Sequence, residues 1–312
     1  MRIGLDVMGG DYAPEAIIEG AVDSLSLLSP DDRLVMIGDK AAIIRKMTEM
    51  KTDLSLVDIV HTTQVIEMGD VPSRAYQQKQ DSSIAVGYRM LKDKEIQGFC
   101  SAGNTGAMMV GATYTVNGIP GVIRPALALI VPSVDHRHSV LLDVGLNPDT
   151  KPDVLCQYGL LGSIFAEYVL EIKNPSVRLL NIGEEEGKGT PALKTAYELM
   201  KDCKQINFEG NFEANHLFGE KMPDVIVCDG FVGNVIVKQT EALHHIFVLK
   251  DFRDPYFESL DPESIGGTPI VGINANVVVG HGVSKRKAVM NMILQTWAVV
   301  HADLAGKIND VI

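Results

Sequence analysis

The chain has 312 residues, 46% hydrophobic and 22% charged, a globular balance that excludes a disordered chain and allows one large domain or two lobes sharing one sheet. A formal net charge of −12 argues against nucleic-acid binding, which rests on Lys and Arg neutralising phosphates. Four scattered cysteines, Cys100, Cys156, Cys203 and Cys228, form no CxxC pair and read as reduced core or near-core thiols of a reducing compartment.

Residues 2–7 read as a buried strand rather than the start of a signal peptide. No apolar run approaches the ~20 residues that span a bilayer, so a soluble, cytoplasmic protein is expected. A helix follows over 14–28 with Pro14 in its first turn, then a strand over 33–37, a helix over 39–50 and a strand over 56–61. One long helical pattern covers 72–93. A strand over 97–101 and a helix over 104–116 come next, then strands over 126–131 and 139–144. The second half continues with a helix over 153–172, a strand over 176–182, a helix from Pro191 to about 202, a strand over 224–228 and a helix over 232–249. Residues 250–268, rich in Asp, Pro and Gly, read as a loop. One or two short strands fall within 270–279, and a final helix covers 285–304. Continuous apolar strands alternating with helices predict an α/β protein with a mostly parallel sheet covered on both faces.

Ligands of such sheets bind beyond the carboxyl ends of the strands. Six predicted strands end there in turns of glycine and polar residues: Asp6–Asp11, Ser101–Gly106, Asp143–Asn147, Asn181–Glu184, Asp229–Asn234 and Gly280–Ser284. Glycine lets backbone approach a ligand closely, and a turn that opens a helix offers N–H groups and a positive dipole end. Together these predict an anion or phosphate site drawing on Asp6, Gly9, Gly10, Asp11, Gly103, Asn104, Thr105, Gly106, Asp143 and Asp229. A bland reading, glycine for turn geometry alone, stands beside it.

Known nucleotide fingerprints are missing. The first strand lacks GxGxxG, and the Walker-like segment 183–190 has its glycines one residue too close, with Gly189 where Ser or Thr should follow Lys188. There is no HExxH, no GxSxG elbow and no clustered Cys/His set, so neither a metal nor a cofactor is expected. Candidate reactive groups are few. His281, between two glycines, suits proton transfer or is a hydrogen-bonded loop histidine. Lys188 suits a phosphate or is a surface lysine, and Asn234 suits an oxyanion or is a helix cap. Asp6 and Asp11 flank the first turn and suit orienting a base, binding a metal or capping a helix. His136 and His138 read as an exposed turn.

Read together, the segments Ile3–Asp11, Lys79–Ser83, Ser101–Gly106, Arg124–Ala126, Leu141–Gly145, Asn181–Gly183, Asp229–Val235 and Gly280–Gly282 resemble the phosphate acyltransferase family, PlsX, in family order over nearly the whole chain. The resemblance implies a homodimeric three-layer α/β/α sandwich like isocitrate and isopropylmalate dehydrogenases. It implies transfer of a long-chain acyl group from acyl carrier protein to inorganic phosphate. The acyl phosphate would supply a membrane glycerol-phosphate acyltransferase in phospholipid synthesis. It also favours Lys188, Asn234 and His281 as catalytic residues. One departure stands out: the stretch before Gly266, associated in the family with membrane contact and part of the dimer, is short here, covering only about 250–265. The resemblance also implies loose membrane association, and this short stretch is where the chain departs from the family pattern that carries it. Carrier protein is acidic, so a basic rim is expected, with Arg89, Lys92, Lys285, Arg286 and Lys287 as candidates. Rival readings are a phosphate acetyl- or butyryltransferase using coenzyme A, a decarboxylating dehydrogenase of the same fold, and a non-catalytic acyl- or carrier-binding module.

Overall fold

The computed structural model describes residues 1–312. The chain divides into two compact units, one of Met1–Gly118 with Pro262–Asp303 and one of Ile119–Asp261 with Leu304–Ile312. In chain order the first unit begins with β1 (Arg2–Asp6), α1 (Glu15–Ser24), β2 (Arg33–Gly38), α2 (Lys40–Glu49), β3 (Val57–His61), α3 (Pro72–Gln78), α4 (Ser83–Lys92), β4 (Gly98–Ser101) and α5 (Thr105–Gly111). The second unit follows with β5 (Ala126–Pro132), β6 (His138–Leu142), α6 (Pro152–Tyr168), β7 (Ser176–Asn181), α7 (Pro191–Asp202), β8 (Asn207–Glu213), β9 (Val225–Val227), α8 (Gly230–Leu249) and α9 (Pro255–Ser259). The chain then returns to the first unit for α10 (Pro262–Ile265), β10 (Gly267–Val271), β11 (Asn276–Gly280) and α11 (Arg286–His301), and ends in the second with α12 (Leu304–Val311).

In the first unit the strands lie in the order β3-β2-β1-β4-β11-β10, all parallel except β10 against β11. The register pairs Leu5 with Cys100 and Val279 with Ser101, so β1, β4 and β11 end at one rim. The chain runs from β1 outward to β2 and β3, then crosses to β4 on the other side of β1, which makes the β1/β4 boundary a topological switch point. Strand cores such as Ile3, Leu5, Val35, Ile37, Phe99 and Val278 are buried, as continuous apolar runs require of strands covered on both faces.

The second unit orders its strands β5-β6-β9-β7-β8, again parallel but for β5 against β6. The ends of β6, β7 and β9 therefore share a rim of their own. The expected alternation and parallel pairing hold in both units. No helix is long and apolar enough to cross a membrane.

Several expected elements differ. The helical pattern over 72–93 is two helices, because Ser82 caps a new one by accepting from the Ala85 N–H at 3.3 Å while Asp81 accepts from the Thr63 N–H at 2.9 Å. The helix over 104–116 keeps α geometry only to Gly111 and continues as a π turn over Ala112–Val116. There Tyr88 donates its hydroxyl to the Met108 carbonyl at 2.6 Å, competing with the helical ladder. The span 250–268 is not only loop. Asp254 caps α9 and a further Asp-Pro step, Asp261-Pro262, opens α10. Strand β8 and helix α12 were not expected.

Candidate active site

The rim of the first unit is organised by one buried carboxylate. Asp6 closes β1 with no solvent exposure. It accepts from the Met8 N–H at 3.0 Å and from the Ser101 hydroxyl at 2.6 Å, and Ser101 Oγ in turn accepts from the Gly103 N–H at 2.9 Å. A chain of bonds thus ties the turn after β1 to the turn after β4. The two turns touch at glycines: a Cβ placed on Gly9 would lie 2.7 Å from the Gly103 Cα, so no other residue fits there. The third turn joins through the Asp11 N–H, which donates to the Gly282 carbonyl at 2.8 Å.

Burial raises the Asp6 pKa above its ordinary 3.8, against the opposing pull of hydrogen bonds from Ser101, Ser83, Met8 and Gly9. The folded chain therefore keeps a proton where the unfolded chain has released it. This contribution to stability is full below 3.8 and is lost as pH rises toward the raised folded value. Asp6→Asn removes the titration, so its urea-unfolding free energy should decline less than the parent's as pH rises above the ordinary carboxylate value of 3.8. Equal declines in the two proteins would contradict this account.

The structure brings Asp6, Gly9, Gly10, Asp11, Gly103, Asn104, Thr105, Gly106 and His281 to this one rim. Their duties differ from those expected. Asp6 lies beneath the turns and shapes them. The Asn104 carboxamide is engaged at both ends, donating to the carbonyls of Glu67, Met68 and Asp70 at 3.1, 3.2 and 3.2 Å and accepting from the Ala107 N–H at 3.0 Å. It caps α5 and clamps the 67–70 loop. The N–H groups of Asp11 and Gly103 are engaged internally, whereas those of Thr105 and Gly106 open α5 and have no intrahelical acceptor. His281 is exposed, and its Nδ1 accepts from the Val283 N–H at 3.4 Å.

The expected basic rim is largely engaged within the unit. Arg286 holds Asp23 with two bonds of 2.5 and 2.6 Å, Lys287 donates to Ser264 Oγ at 2.8 Å, and the Lys285 ammonium lies 5.4 Å from the Tyr12 ring centroid. The start of α11 is covered by Glu263, which accepts from the Lys285 and Ala288 N–H groups at 2.9 and 3.0 Å. Arg89 and Lys92 are exposed together in the last turn of α4, with Arg89 also donating to the Gln80 carbonyl at 3.2 Å.

The second unit repeats the device. Asp143, fully buried after β6, accepts from the backbone N–H groups of Leu127, Gly145, Leu146 and Asn147 at 3.0, 3.3, 3.1 and 2.6 Å and from Asn147 Nδ2 at 3.1 Å. Asn147 also donates to the Pro125 carbonyl at 2.7 Å, and its own carbonyl accepts from the Gly230 N–H at 2.8 Å. Asp229 caps α8 by accepting from the Val232 N–H at 2.8 Å. Asn234 is therefore not the cap. It sits one turn inside α8, exposed, with Nδ2 beside Gly145, 3.1 Å from where a Cβ on that glycine would stand. Lys188 projects from the exposed loop between β7 and α7, its ammonium 3.7 Å from the Glu185 carboxylate. Asp143, Asp229, Asn234 and Lys188 thus all belong to the second unit's rim.

Ser101 and Asn147 were missed as site residues. Each lay inside or beside a quoted motif, but only the fold reveals that their side chains fasten the turns.

Residues 1–251 match the family described as "Fatty acid synthesis protein". The chain is 41% identical over 314 residues to a phosphate acyltransferase of Caldicellulosiruptor saccharolyticus, covering 95% of this chain and 93% of the relative. It is 36% identical over 327 residues to that of Dictyoglomus turgidum, covering 99% and 96%. Among solved structures it resembles the EutD phosphotransacetylase from Staphylococcus aureus, with TM-score 0.68 at 16% identity over 96% of this chain and 94% of that one. A branched-chain phosphotransacylase from Enterococcus faecalis V583 gives 0.64 at 13% identity over 96% and 99%. At these identities the solved structures speak for the fold.

Proposed function

This chain belongs to the fatty acid synthesis protein family of phosphate acyltransferases, and from that premise we propose that it moves a long-chain acyl group from acyl carrier protein to inorganic phosphate. The observation that supports an anion site most directly is the pair of glycine turns closed on each other at the switch point, held by Asp6 and Ser101, with the start of α5 beside them. Helix starts favour anions because their first N–H groups have no intrahelical acceptor. On this reading phosphate is held at the Thr105 and Gly106 N–H groups, with Gly9, Gly10 and Gly103 allowing its close approach.

A phosphate oxygen attacks the thioester carbonyl carbon and the carbonyl becomes a tetrahedral oxyanion. Collapse breaks the carbon–sulfur bond and releases the pantetheine thiolate of the carrier, leaving acyl phosphate. On this reading Lys188 supplies the phosphate's counter-charge, Asn234 or a nearby N–H steadies the oxyanion, and His281 takes the proton of the attacking phosphate or hands one to the leaving sulfur, so that the phosphate's proton ends on the free thiol. No covalent enzyme intermediate is needed. The acyl phosphate then serves a membrane glycerol-phosphate acyltransferase in phospholipid synthesis. We place the enzyme in the cytoplasm as a homodimer. Arg89 and Lys92 are the proposed contacts for the acidic carrier, since the Lys285–Lys287 cluster is engaged within its own unit.

Purified protein given palmitoyl carrier protein and phosphate should release palmitoyl phosphate and the free carrier thiol. Acetyl coenzyme A should be a far poorer donor. His281→Ala should lower kcat/KM by about 100-fold, the usual scale of a lost proton-transfer group. Full activity in that variant removes His281 from the reaction, and turnover only with acetyl coenzyme A replaces the long-chain reading with a short-chain one.

A further inference from the structure

We infer that Asn181 and Asn211 form a buried amide ladder whose task is to position Lys188. The inference rests on the reading of Lys188 as the phosphate's counter-charge. Lys188 rides on a loop of mostly exposed residues, and a long lysine side chain on an unsupported loop is a poor positioning device. The loop is nevertheless gripped from below. Asn211, on the edge strand β8 and 2% exposed, donates Nδ2 to the Glu185 carbonyl at 2.8 Å. Its Oδ1 accepts from Asn181 Nδ2 at 3.0 Å. Asn181, at the end of β7 and 8% exposed, uses the same Nδ2 to reach the Lys188 carbonyl at 3.2 Å, while its Oδ1 accepts from the Ile182 N–H at 2.9 Å.

The ladder therefore holds the main chain at residues 185 and 188, the two ends of the turn closed by the Lys188 N–H on the Glu185 carbonyl at 3.1 Å. Those are also the residues whose side chains form the 3.7 Å ion pair. Gly189 lets the chain pass this close: it has φ +87°, and a Cβ there would lie 2.9 Å from Asn181 Nδ2. Beyond it, Thr190 caps α7 by accepting from the Leu193 N–H at 3.3 Å, so the loop is fixed at its exit as well. Two buried amides are costly to a core unless satisfied. Here both ends of each are bonded, and the carbonyls they serve are those of the lysine and its acidic neighbour. Asn181 and Asn211 are positioning residues, acting through Lys188 without touching substrate.

A double-mutant cycle read in the KM for inorganic phosphate tests this. Asn211→Ala should raise that KM on the order of tenfold, the scale of a slightly misplaced binding group. In the Lys188→Ala background the same substitution should change it little, because the group it positions is gone. Asn211→Asp keeps the acceptor for Asn181 but loses the donor to Glu185, and should show an effect of the same sign if the alanine variant does not fold. The KM for acyl carrier protein should stay constant. Equal effects of Asn211→Ala in both backgrounds, or none in either, overturn the ladder's role while leaving Lys188 in place. A Lys188→Ala enzyme with unchanged phosphate KM overturns the reading of Lys188 and the ladder's purpose with it.

Discussion

Asn234→Ala is expected to lower kcat by about 10²- to 10³-fold while leaving the phosphate KM nearly unchanged. That is the usual cost of removing one hydrogen-bond donor aimed at a developing oxyanion, about 3–4 kcal/mol of transition-state stabilisation. The expectation rests on the proposed role of Asn234 as an oxyanion donor, and its place in α8 keeps that role separable from stability. It is exposed one turn into α8 beside Gly145, while capping of that helix is carried by Asp229. Alanine at an exposed helical position costs little stability, so thermal unfolding should be nearly unaffected. A loss confined to kcat, measured as acyl phosphate formation at saturating donor, marks an interaction made only in the transition state. If kcat stays within a factor of two or so, the oxyanion has another donor and Asn234 leaves the mechanism.

Asp143→Ala should act on the fold first. Four backbone N–H groups and the Asn147 carboxamide converge on this one buried carboxylate. Each buried donor left without an acceptor costs about 1–3 kcal/mol, and water entering the vacated space recovers part of the sum. A loss of about 3–5 kcal/mol in urea-unfolding free energy is expected, a large share of the stability of an ordinary domain. Asp143→Asn should lose less, since one oxygen remains, but its amide group would face donors instead of acceptors. A change below about 1 kcal/mol in the alanine variant would mean that the loop re-bonds without the carboxylate.

The strands and the turns that follow them were legible because both signals are local. An apolar run gives way to glycine beside Asp, Asn, Ser or His, and the parallel pairing then carries these turns to common rims. The fastening of the turns was not legible. Asp6 and Ser101 are separated by 95 residues, and Asn181 and Asn211 by 30, so their pairing depends on strand order, which periodicity does not report. Strand β8 escaped notice for a related reason. Its residues, Asn207 to Glu213, alternate polar and aromatic around Gly210, as an edge strand allows and a central one does not. The short helices after α8 carried readable signals, since Asp254-Pro255 and Asp261-Pro262 are cap-and-first-turn steps, but the high Asp, Pro and Gly content masked them. The basic cluster at Lys285–Lys287 looked free in sequence only because Asp23, Ser264 and Tyr12, its partners, are distant or lie on other elements.

The strand order of the first unit also bears on how the protein is made. Strand β11 lies between β4 and β10, yet it comes from the last part of the chain. A nascent polypeptide therefore carries β4 with a bare edge while residues 119–261 of the other unit are translated. Vectorial synthesis cannot finish the first unit before most of the second has been made, and a fragment ending at Gly118 would lack β11, one of the two neighbours of β4, and the turn that bears His281.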